Sequence, residues 1–458
     1  MADHDDSGEE RSPEEELRAM LENLLSGQAG VDPTALAGAA GLPNDPASVQ
    51  ALFSQLQSAM AGAGTEGIDP QVALKQGRER TAAGQLSVTD DERAVYDQAL
   101  HVAGLWLDEA VSVSTLGSEP RLLTRTEWLE QTMPLWIQLA EPVSSSIADS
   151  LTRALTEQAP EEMQSMVQGA SRMLRGVGGT LFSMQLGQVV GQLATEVVSG
   201  GDVGIPLLDD GQAALLPQNI REFGADLDIP VDQVQLYLAV RELAHARLFR
   251  HARWLRLHLI TSITEYARGI SIDTERIERL AEDFDPSNTE SLRNAVANGS
   301  LIATQSDAQK AALGRLETIL ALVEGWVDVV TSAATSRLPK AEQINETIRR
   351  RRATGGPAES AFATLVGLEL RPRRLREASA LWAAVTEAVG IDERDALWAH
   401  PDLLPTSEDL DDPSRLVARV SGTPSETDAA DDEFDQALEA LLRGDVGEAP
   451  KPEDDSTP

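Results

Sequence analysis

Cysteine is absent from this chain of 458 residues, which excludes disulfides and thiolate metal sites and leaves His and carboxylate groups as the side chains able to hold zinc. Aromatic residues make up 4% and histidines number six, so a site that uses them is confined to few places. Basic residues are scarce beside acids: 38 Lys and Arg against 75 Asp and Glu give a net charge of −37. A surface of that sign repels phosphate backbones, so nucleic acid is not an expected partner. Long apolar runs are missing as well. The most lipid-like stretch, LFSMQLGQVVGQLATEVV (181–198), carries Gln185, Gln188, Gln192 and Glu196, too many polar groups for a membrane span. The start, MADHDDSGEE, lacks the basic and apolar regions of a signal peptide, and a cytoplasmic protein is expected.

What is present reads as helix. From SVTDDERAVYDQALHVAGLWLDEAV (87–111) onward the pattern is long and amphipathic, with Val95, Ala99, Val102, Leu105 and Trp106 near helical spacing. Strand-like alternation is scarce, VGIPLL (203–208) being one candidate extended piece. The fold class expected is mainly α, and three regions follow. Residues 1–90 form an accessory, partly disordered region, in which Ser12 and Pro13 open a short helix; 91–415 form the helical domain; 416–458 form an acidic, disordered tail in which EFDQALEALLRG makes one short helix. Gly187 and Gly191, four apart, predict two helices in close contact. RGVGGT (175–180) lacks the Lys and Ser/Thr of a phosphate loop. Residues 337–376 hold ten Arg or Lys and four Glu; internal ion pairs are favoured there over an anion or RNA site.

The chemistry concentrates in RELAHARLFRHARWLRLH (241–258), where three histidines and five arginines share eighteen positions. A helix of the form His-Glu-x-x-His puts two imidazoles on one face, with the glutamate as general base. Here Arg241 stands at the first position, before Glu242 and His245. A guanidinium has no lone pair to offer a metal. On a helical wheel Arg241 and His245 fall on an apolar face with Leu238, Leu248, Phe249 and Ala252, and Glu242 lies at its edge; His251 and His258 project elsewhere. LALVEGWVDVV (320–330) places Glu324 and Asp328 four apart on an apolar helix. Such a buried acid pair needs a cation, either a metal or arginine. Ligand chemistry alone favours arginine: Arg241 paired with Glu324 or Asp328, a vestigial site held by salt bridges.

The chain resembles the actinobacterial zincin-like hydrolase, or zinc-dependent metalloprotease, family, whose relatives include proteins associated with biosynthesis of a deazaflavin coenzyme. The segments that carry the likeness are LWLDEA (105–110), TRTEWLEQTMPLW (124–136), MQLGQVVGQLATEV (184–197), RELAHARLFRHARWLR (241–256), LVEGWVD (322–328), GGPAESAFATLVGLELRPRRLREASALW (355–382) and RDALWAHPDLLPTSEDLDDP (394–413). The resemblance implies a zincin-like helical architecture, zinc as cofactor, Glu242 as general base, and His245 and Glu324 as metal ligands; a working zinc would then need a replacement for the ligand missing at Arg241, either Asp328 or a further water. It implies a metalloprotease-like hydrolase acting on a peptide or protein, with Arg241 as the departure from the motif. The alternative is a catalytically inactive zincin fold in which Arg241 supplies the metal's charge and the chain binds or scaffolds a partner.

Overall fold

The computed structural model describes residues 67–158, 164–269, 306–368 and 374–422. The expected helices at Ser12 and within 433–444, and the part of the expected acidic tail beyond 422, lie outside these residues; its first residues, 416–421, are helical and not disordered. Helix α1 (Pro70–Ala82) starts at Asp69, whose carboxylate accepts from the Gln71 and Val72 amides, and at Pro70, whose missing N–H is no loss in a first turn. α2 (Asp90–Asp108) starts with a capping box between Thr89 and Glu92. Then come β1 (Arg121–Leu122), α3 (Arg125–Gln158) and α4 (Gln164–Ala194). β2 (Ala214–Leu215) pairs in parallel with β1, and α5 (Pro217–Ala225), α6 (Val231–His251) and α7 (Arg253–Arg268) follow. α8 (Asp307–Ala334) opens with a second capping box, Ser306 with Gln309. The remaining helices are α9 (Ala341–Ala353), α10 (Pro357–Val366), α11 (Leu375–Ala396), α12 (Ser407–Asp411) and α13 (Pro413–Ser421).

The architecture is mainly α, as the composition predicts. Extended structure falls elsewhere than expected: residues 203–208 form no strand, and the two-residue strands lie at 121–122 and 214–215. α1, which precedes residue 91, packs on α3 and α4. The α1–α4 contact is a glycine contact. A Cβ on Gly187 would stand 2.1 Å from the Ala73 carbonyl oxygen, and one on Gly191 would stand 3.0 Å from Gly77. Only bare backbones can approach so closely. RGVGGT lies inside α4 with helical backbone.

In α2 the stripe turned to the core is Tyr96, Leu100, Ala103 and Leu107, whereas Val95 and Leu105 are half exposed. It lies one residue along from the expected stripe and obeys the same helical spacing, and it buries the large Tyr96 ring. α6 departs further from a one-faced helix, being buried from Tyr237 to Phe249 on every side. It packs against α2 and α8 and is met by β2 at Glu242. Among the described residues, Trp128, Trp136, Trp326, Trp382 and Trp398 are fully buried in the body. Among the described residues, no helix is long and apolar enough to cross a membrane.

Candidate functional site

Two helices bring the site together. α6 carries Arg241, Glu242 and His245; α8 crosses it and carries Glu324 and Asp328. His245 Nε2 lies 3.1 Å from Glu324 Oε1, and Arg241 donates to Glu324 Oε2 at 2.5 Å. An imidazole and a carboxylate 79 residues apart therefore meet in a pocket where both are about 99% buried. Arg241, the residue before Glu242, thus brings a cation to the same carboxylate that meets His245.

A second guanidinium, unforeseen from the sequence, reaches the same carboxylate. Arg352 of α9 approaches Glu324 Oε1 at 2.8 Å and donates to the Asp202 carbonyl at 2.8 Å. Asp202 in turn accepts from Arg351 at 3.2 Å and from the Val198 amide at 3.0 Å. It lies on the loop SGGDVG (199–204), which the sequence offers only as a break between helices. Its glycines let the loop sit on the motif helix: a Cβ on Gly201 would stand 2.7 Å from His245, and one on Gly204 (φ +81°) would stand 2.9 Å from Glu324 Oε1.

Glu242 and Asp328 are engaged outside this cluster. Glu242 accepts from the Gly201 and Ala214 amides, each at 2.8 Å, one on either oxygen, and so fastens the loop to α6. Asp328 accepts from Arg349 at 2.5 and 3.1 Å and from the Ser379 hydroxyl at 2.9 Å. Three of the four arginines at 349–352 thus meet acids of the body, two of them buried, as the internal-pairing reading of the basic island has it. His251 ends α6 exposed to solvent, and His258 packs edge-on against Trp254. Tyr237, one turn before Arg241, is buried with its hydroxyl unpartnered among the described residues.

The electrostatics follow from burial and pairing. Burial pushes the Glu324 carboxyl up, but Arg352, Arg241 and His245 outweigh it and hold it well below the usual carboxylate range. Burial pushes the His245 imidazolium down, and the attraction of Glu324 does not restore it. In Glu242 burial wins over the two amides, and its carboxyl is raised to about 7. Both ring nitrogens of His245 face acceptors, Nδ1 the Arg241 carbonyl oxygen at 3.1 Å and Nε2 the Glu324 Oε1 at 3.1 Å, so the proton that serves Glu324 sits on Nε2. That is the nitrogen facing the carboxylate, and a ligand would need it bare.

These residues do not fit a catalytic zinc. Such a site takes three protein ligands around an open position. Among the described residues no three His, Asp or Glu side chains converge in that way. The two donors that do meet, His245 and Glu324, share their pocket with two guanidinia, Arg241 on one Glu324 oxygen and Arg352 on the other. Beside them a cleft of ≈ 700 Å³, counting the part open to solvent, is lined by Asp202, Gly204, Glu324, Arg351, Arg352 and Phe362, among others.

No curated protein matches the chain. Among solved structures, the "crystal structure of a putative hydrolase with a novel fold from Chloroflexus aurantiacus" is similar, with a TM-score of 0.53 and 20% identity, covering 77% of this chain and 98% of that one. At that identity the likeness concerns the fold. A family model for zincin-like metallopeptidases matches residues 68–417, from just before α1 into α13. The chain belongs to the zincin-like metallopeptidase family.

Proposed function

We propose that this chain is a zincin-like protein that works without zinc and without hydrolysis, its metal position taken by Arg241, and that it acts by binding a peptide or protein partner at the adjoining cleft. The observation that carries the reading is the 2.5 Å pair between Arg241 and Glu324, both nearly inaccessible to solvent. A fixed cation there neutralises the carboxylate that would otherwise demand a metal.

The test is elemental analysis of freshly purified protein. The expected result is no stoichiometric zinc in the wild type and gained zinc affinity in Arg241→His. Stoichiometric zinc that disappears in His245→Ala or Glu324→Ala would sink the proposal.

The runner-up, a zinc-dependent hydrolase with Glu242 as base and His245, Glu324 and Asp328 as ligands, is supported by family membership. The raised carboxyl of Glu242, at about 7, also favours it, since general bases work near such values. It requires Arg241 and Arg352 to leave Glu324, and zinc-dependent peptide cleavage by the purified wild type would decide for it.

A further inference from the structure

The cleft beside Glu324 is walled by a helix that brings its own charges. Arg349, Arg351 and Arg352 of α9 reach outward to Asp328, Asp202 and Glu324, while Arg350 pairs with Glu346 of the same helix. Apolar anchoring of α9 is thin, Ile344 and Ile348 being the buried apolar side chains among its described residues. The chain leaves α9 through Gly355, at φ +85°, and Gly356, a link that can absorb a change of direction.

Arg352 is held imperfectly for so enclosed a group. Its Nε is buried without a hydrogen-bond partner among the described residues, and it shares the Glu324 carboxylate with Arg241. Buried donors left in that state are costly. Arg351 and Arg352 are the basic groups that line the cleft; its acids are Asp202, Glu324 and Glu359, and its apolar walls include Leu320 and Phe362. With α9 drawn aside, three carboxylates would face an opening between apolar walls. That lining suits a cation flanked by apolar groups, and a chain of net charge −37 attracts basic partners over longer range.

We infer that α9 is a self-occluding latch, and that Arg352 fills from within the seat that an arginine or lysine side chain of a basic peptide takes when the helix is displaced. This rests on the metal-free reading of the centre and names the ligand class of that same site.

The test uses the full chain and the probe acetyl-Leu-Arg-Leu-amide, with acetyl-Leu-Glu-Leu-amide as control, in calorimetric titrations. Arg352→Gln is expected to bind the arginine peptide about tenfold more tightly than wild type, and adding Glu324→Gln to that variant is expected to abolish the gain. An unchanged affinity in Arg352→Gln, or equal binding of the acidic control, overturns the latch. Should Arg352→Gln fail to fold, Arg351→Gln decides, since it loosens α9 without touching Glu324. Faster amide exchange over 341–353 together with tighter arginine-peptide binding is expected. Faster exchange without a gain in affinity, or exchange left unchanged, overturns the proposal. Zinc in the wild type would sink the metal-free reading by elemental analysis, whereas this inference fails in the titrations of zinc-free protein, so the two failures are told apart.

Discussion

Replacing Glu324 by glutamine leaves the buried Arg241 and the half-buried Arg352 beside an amide that carries no charge. Removing one partner from a buried ion cluster costs about 3–5 kcal/mol, and urea denaturation of Glu324→Gln is expected to show a loss of that order. A loss no larger than that of an exposed substitution would mean that solvent reaches the site. Glu242 makes a separate, pH-dependent statement. Folded, it keeps its proton up to about 7, against an ordinary 4.5. Between those values the folded chain binds more proton than the unfolded one. The contribution of this group is therefore complete below the ordinary value and declines as pH rises through about 7. The stability difference between wild type and Glu242→Gln is expected to fall by up to about 3 kcal/mol from about pH 5 to about pH 7.5. A flat difference would contradict the burial assigned to Glu242. Of these residues, Arg241, His245 and Glu324 were legible in the sequence because helical spacing and a buried acid point to them directly. Arg352 and Asp202 were not, because a run of arginines carries no record of which distant acid each one meets.

Along the elements, the tightest test lies at the α1–α4 contact. Gly187→Ala drives a methyl into the Ala73 carbonyl, and overpacking of this kind costs about 1–3 kcal/mol. Faster amide exchange in α1 than in the rest of the body is the expected sign. Gly178→Ala on the same helix has no described neighbour within 4 Å, and it is expected to stabilise by roughly 0.5–1 kcal/mol through helix propensity alone. If both variants behave alike, the close approach of the two backbones is wrong. The glycine spacing told correctly of close helix contact, since only shape was at issue. The stripe of α2 was harder to read: Val95 and Tyr96 begin equally regular apolar series, and only the neighbours, α6 above all, decide which faces inward. For α6 itself the wheel offered one buried face where the body buries all of them. A helix that tolerates charge on every side does so because each charge has a partner, and partners are non-local.

For the molecule as a whole, long amphipathic helical spacing and scarce strand-like alternation sufficed to forecast a mainly helical body. The single parallel contact of β1 with β2 is only two residues long, too short to leave an alternating pattern. The enclosed cations also set how the whole chain responds to its medium. A strong chelator is expected to leave the thermal midpoint unchanged, since a ligand that stabilises by binding must destabilise on removal. A fall of several degrees on adding chelator would show that a bound ion supports the fold.

The pairing of Arg241 with Glu324 carries one more consequence. A metal ion is borrowed from the surroundings, with an affinity, an off-rate and rivals of similar size; a guanidinium on the backbone has none of these. On the proposed metal-free reading, starvation of zinc or an excess of copper or cobalt is expected to leave this protein's folding unchanged.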